Sequence, residues 1–140
     1  MVEVDQFVGE VLPDDPLVLL QIVEEYRTDG SYSETLIEQV LQRIRTGLNE
    51  FHLPAAQRQR VLAQVEEITG REVEAATHLG RAIEIDPHQI TWRYDYAVLL
   101  EKLGRFDEAL EQIRWCLRQA PRNNNYRSLL NRIYTAQSDS

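Results

Sequence analysis

The sequence predicts an all-α fold, a helical-hairpin solenoid of about three repeats closed by a C-terminal capping helix, and three observations predict it. The stretch Leu103 to Pro121, LGRFDEALEQIRWCLRQAP, says again what Thr69 to Pro87, TGREVEAATHLGRAIEIDP, says more faintly. Aligned on Gly70 and Gly104, 34 residues apart, the copies share Arg71 with Arg105, Glu74 with Glu108, Ala75 with Ala109 and Pro87 with Pro121. Self-similarity at a fixed period is the mark of a repeat architecture. Between glycine and proline the apolar residues recur at helical spacing, and the two punctuating residues are those that end helices.

Taken in order, residues 1–14 carry Val4, Val8, Val11 and Leu12 at the spacing of a short helix. Pro13 stands where the final proline of a preceding unit would stand, so the segment reads as a short helix or the remnant of an earlier repeat in a longer chain. Residues 15–55 form a divergent unit. Asp15 is placed to cap a helix starting at Pro16, whose missing N–H is no loss in a first turn. Leu19, Ile22, Val23 and Tyr26 stripe that helix, Gly30 ends it, and Tyr32 follows. Leu36, Ile37, Val40, Leu41, Ile44 and Leu48 stripe its partner, which is expected to run long because Gly30 precedes Gly70 by 40 residues. The unit at 56–89 has Leu62, Ala63, Gly70, Ala75 and Ala82 in register, with Glu66 and Glu72 interrupting its apolar pattern. The unit at 90–123 is the most regular. Tyr96, Ala97, Leu99, Leu100 and Leu103 stripe its first helix; Phe106, Ala109, Leu110, Ile113, Cys116 and Leu117 stripe its second. Residues 124–140 complete the chain, with Tyr126, Leu129, Leu130, Ile133 and Tyr134 on one side of a helix that would shield the last hairpin from water.

This pattern resembles the tetratricopeptide repeat family, whose 34-residue unit is two antiparallel helices. Counting repeat positions from Ile90, the matching residues are Tyr96 at 7, Ala97 at 8, Leu100 at 11, Gly104 at 15, Phe106 at 17, Ala109 at 20, Cys116 at 27 and Pro121 at 32. Trp92 departs from it, one place earlier than the family's usual tryptophan, and Thr35 replaces the usual alanine at 20 of the divergent unit. The resemblance implies a non-enzymatic module that binds a peptide or helix of another protein in a concave groove lined by the first helices. Positions 2, 5, 9, 12 and 13 would face the ligand: Leu17, Leu20, Glu24, Arg27 and Thr28, then Gln57, Arg60, Gln64, Glu67 and Ile68, then Thr91, Tyr94, Val98, Glu101 and Lys102. Of these, Arg60, Gln64, Tyr94, Val98, Glu101 and Lys102 are the expected partner-binding residues. The family's chaperone clamp is absent, because Leu20, Glu24, Val61, Thr91 and Asp95 occupy the places of its lysines, asparagines and arginine.

Charge narrows the partners. A net charge of -8 argues against a surface built for nucleic acid or anionic lipid. It is unevenly spread: residues 1–50 hold eleven acids against three arginines, whereas 112–137 hold Arg114, Arg118, Arg122, Arg127 and Arg132 and no acid. An alternative function follows, a self-assembling scaffold whose acidic N-terminal end docks on the basic C-terminal end of another copy. A further alternative is a soluble regulatory or tethering domain of a larger bacterial membrane or envelope enzyme. The arginines are expected to stack on Trp115 or Tyr126 in a solvated cap, with Trp115 covered by the final helix. No basic n-region precedes an apolar run, and no 18 apolar residues adjoin, so the expected setting is cytoplasmic or the soluble part of a larger protein.

Chemistry finds little purchase. His52, His78 and His88 share no helix face with each other or with Cys116 at ligand spacing, and His78 is expected on the surface. Cys116, the lone cysteine, takes a small-residue packing position and is expected to be a buried, inert thiol. Adjacent acids such as Glu66 and Glu67 diverge on a helix and do not suit acid–base work. No phosphate loop is present, so neither a cofactor, a metal nor catalysis is expected.

Overall fold

The computed structural model describes residues 15–30, 34–50 and 52–139, without the side chains of residues 26, 27, 29, 36, 49 and 50. Among them are seven helices: α1 (Pro16–Asp29), α2 (Glu34–Glu50), α3 (Ala55–Ile68), α4 (Glu72–Ile85), α5 (Ile90–Lys102), α6 (Phe106–Gln119) and α7 (Asn124–Asp139). The pairs α1/α2, α3/α4 and α5/α6 are hairpins, and α7 packs chiefly on α6. The expected helix in 1–14, Tyr32, and the side chains of Tyr26, Arg27 and Leu36 lie outside the described residues.

Local chemistry accounts for the boundaries. The Asp15 carboxylate accepts a hydrogen bond from the Leu17 backbone N–H at 2.9 Å, satisfying one of the donors a helix start leaves over. Gly30, Gly70 and Gly104 take φ of 70°, 80° and 74°. At Gly70 the turn is a Schellman closure, with Gly70 N–H donating to Glu67 C=O at 3.1 Å and Arg71 N–H to Glu66 C=O at 2.8 Å. Gly104 and Arg105 repeat it on Glu101 and Leu100 at 3.0 and 2.9 Å. Only a residue without Cβ adopts this left-handed geometry cheaply, which is why the 34-residue period is written in glycine. The extra length of the first unit goes partly into α2, 17 residues against 14 for α4 and α6.

Burial follows the stripes. One core gathers Leu19, Val23, Val40, Leu41, Ile44 and Val61 from α1, α2 and α3. A second, from α5, α6 and α7, gathers Ala97, Leu100, Ile113, Cys116, Leu129 and Ile133. The middle of the array is alanine-rich, with Ala63, Leu79 and Ile83 beside Trp92 and Tyr96, and Ala75, Ala76 and Leu99 beside Tyr96 and Leu103. Trp92, out of place against the family's pattern, thus packs on α3 and α4. Gly80 gives Tyr96 its room: a Cβ there would lie 3.1 Å from the Tyr96 hydroxyl. Glu66, at a position the family keeps apolar, has a side chain only 13% exposed; its Oε2 lies 3.0 Å from Arg71 Nε as an ion pair but makes no hydrogen bond among the described residues.

Candidate functional site

Because each hairpin packs against the next, α1, α3 and α5 lie in succession along one face, and between them runs a cleft of about 430 Å³. From α3 come Arg60, Gln64, Glu67 and Ile68; from α5, Tyr94, Asp95 and Val98; from α1, Glu24. Four of the expected partner-binding residues, Arg60, Gln64, Tyr94 and Val98, are therefore brought together. Glu101 and Lys102 are not among the lining residues. The Glu101 carboxylate instead accepts a hydrogen bond from Arg132 Nε of α7 at 2.6 Å, and Lys102, the next residue, is exposed. Leu20 corrects the expectation for its position, since it is 4% exposed and belongs to the first core.

Across the cleft the Arg60 guanidinium donates to Asp95 Oδ2 at 2.8 Å, tying α3 to α5. Burial pushes the Asp95 carboxyl above its ordinary pKa, and the Arg60 charge opposes that push only in part. The Asp95 side chain is 43% exposed, so screening keeps the pair's net worth to roughly 1 kcal/mol or less. Arg60 Nε is buried with no hydrogen-bond partner. Asp95 was legible as a departure from the chaperone clamp but not as a lining residue; the missed signal is that Arg60 and Asp95 hold positions 5 and 6 of successive units with opposite charge. Tyr94 is steadied by α7: its ring lies 5.2 Å from that of Tyr126, tilted by 44°.

His78, expected on the surface, is half-buried, and its Nδ1 lies 2.8 Å from Gln59 Oε1 of α3. Desolvation, then the nearby Arg81, holds its pKa below the ordinary imidazole value, with Glu66 pulling weakly the other way. His52 and His88 are exposed, and among the described residues no group of His, Cys, Asp and Glu is arranged to hold a metal. Cys116 is fully buried, its thiol 3.6 Å from the Ile90 carbonyl and pushed by burial up to about 11, so it stays protonated and unreactive at neutral pH. At the basic end the stacking differs from expectation. The arginine over Trp115 is Arg93 of α5, 4.3 Å from the ring and hydrogen-bonded to Pro87 C=O and Gln112. Arg114 donates to the Tyr134 hydroxyl at 2.8 Å, while Arg118, Arg122 and Arg127 are exposed. No helix among the described residues is long and apolar enough to cross a membrane.

Tandem helical hairpins with a cleft along their first helices define a class of helical-repeat protein whose general business is protein–protein interaction. The comparisons with known proteins agree. Residues 69–133 match the model of the tetratricopeptide repeat family, which spans the second hairpin from its turn onward, the third hairpin and the start of α7. Protein unc-45 homolog B of Homo sapiens is 36% identical over 64 residues, 46% of this chain, and its Mus musculus counterpart 35% over 63, 45% of this chain. The chain spans about 7% of the length of these relatives. Among solved structures, a MamA mutant superposes with a TM-score of 0.64 at 20% identity, covering 95% of this chain and 71% of that one. The C-terminal tetratricopeptide-containing domain of a Plasmodium falciparum FK506-binding protein gives 0.62 at 12% identity, covering 94% and 97%. At such identities the structures share the fold with this chain.

Proposed function

We propose that the chain is a non-catalytic interaction module that holds a peptide or helix of a partner protein in the cleft between α1, α3 and α5. The observation that carries this is the convergence of Arg60, Gln64, Tyr94 and Val98 on one concavity. Tyr94 and Val98 offer apolar area and Gln64 a donor and an acceptor, while Arg60, held by Asp95, fixes α3 against α5; a rigid array presents them without an ordering cost of its own. The test is affinity capture from a lysate with the wild-type chain beside Tyr94→Ala and Gln64→Trp, the second filling the cleft without a charge. Partners lost with both variants, while circular dichroism stays unchanged, support the reading; an identical captured set refutes it.

A second reading has support from the exposed arginines 118, 122 and 127 at one end and the exposed Glu24, Glu25, Glu34 and Glu38 at the other. Head-to-tail association through these ends gives open oligomers. Light-scattering mass at low and high salt decides it, since a constant monomer removes the self-assembling scaffold. The setting in a larger protein, cytoplasmic or tethered to a membrane enzyme, is tested by the full-length gene.

A further inference from the structure

We infer that the cleft selects a cationic segment of a partner protein, setting a lysine or arginine side chain against Tyr94 and the carboxylate of Glu67. This rests on the cleft being the docking surface. Among the described residues its lining holds the carboxylates of Glu24, Glu67 and Asp95 and the cation of Arg60. That cation is already engaged, its guanidinium 2.8 Å from Asp95. The negative character continues along α1, where a shallower depression is bordered by Glu24 and Glu25. An acidic ligand would therefore have to draw Arg60 away from Asp95 while approaching the carboxylate of Glu67. A basic one meets complementary charge with the internal pair intact.

The apolar part of the cleft fits the same class of ligand. Lysine and arginine carry long aliphatic stems, which Ile68 and Val98 can cover, and their charged heads are attracted to the face of a tyrosine ring. Tyr94 is held in place from behind by Tyr126. Asp95 adds to the argument, because burial raises its pKa more than Arg60 lowers it, so a second cation nearby would be welcome. The overall charge of -8 also steers basic segments toward the chain.

The experiment is selection of a random dodecapeptide display library on the wild-type chain at low salt, followed by fluorescence anisotropy with the enriched peptides. Enriched peptides should share a lysine or arginine position. Exchanging that residue for glutamate should abolish binding, and Glu67→Lys should weaken it about tenfold, with Glu67→Gln intermediate as a check that folding is intact. Peptides that lose binding in Gln64→Trp yet carry no cationic preference would overturn this inference and leave the cleft reading standing. Peptides indifferent to Gln64→Trp, or no enrichment, would overturn both. A light-scattering mass above the monomer that Glu67→Lys abolishes would show a second copy as the occupant and overturn the foreign cationic segment.

Discussion

Replacing Leu100 by Ala tests the packing register most sharply. Its side chain has no exposed surface and lies in the buried core formed by α5, α6 and α7. Two members of that core, Ala97 and Ala109, are alanines that have no side-chain reach to refill the space, so the site is poorly able to collapse. Leucine-to-alanine changes in cores cost about 2–5 kcal/mol, rising with the cavity that remains, and the upper half of that range is expected. A loss of about 3 kcal/mol corresponds to a melting shift on the order of 10 °C for a chain of this size. Urea titration followed by far-ultraviolet circular dichroism gives the free energy, with Val73→Ala, at a position 60% exposed, as the control expected to stay within about 0.5 kcal/mol. A Leu100→Ala loss under about 1 kcal/mol, or equal to that of the control, would refute the placement of α5 between α4 and α6.

Other expectations follow from single features. Gly104→Ala forces a side chain to φ 74° and should cost about 1 kcal/mol in the same titration, although nothing lies within 4 Å of its new methyl group. His78 has a folded pKa below its ordinary 6.5, so its contribution is present above pH 6.5 and is lost as pH falls through the folded value, the unfolded chain taking the proton first. The urea midpoint should thus drop between pH 7.5 and 5.5, and less steeply in His78→Gln. Cys116, with its thiol pushed to about 11 and buried, should resist a disulfide reagent at pH 8 in the native chain and react within seconds in urea.

Much of the fold is legible in the sequence because glycine and alanine record backbone geometry directly. Gly70 and Gly104 mark left-handed turns, and Ala97, Ala109 and Cys116 mark where helices approach, all constraints that few other residues meet. Asp15 was legible as a cap for the same reason: its short carboxylate reaches the α1 backbone. Leu20 was misread because α1 contributes to a core with α2 and α3, and an apolar residue at a groove position goes to whichever side excludes water. Glu101 was read as groove-lining because repeat position says nothing of what α7 brings, and α7 brings Arg132. Arg93 on Trp115 joins residues in different helices, a contact that no periodicity within a helix encodes. The Arg60–Asp95 pair is intermediate, since it appears once successive units are laid in register.

The central claim, that the face shared by α1, α3 and α5 is where a partner docks, is tested most directly by amide hydrogen exchange on the chain with and without a bound peptide. The account predicts slowed exchange in α3 and α5 around Arg60, Gln64, Tyr94 and Val98, with α4 and α6 unchanged. Protection confined to α2, α4 and α6, with the cleft helices exchanging as before, would contradict it.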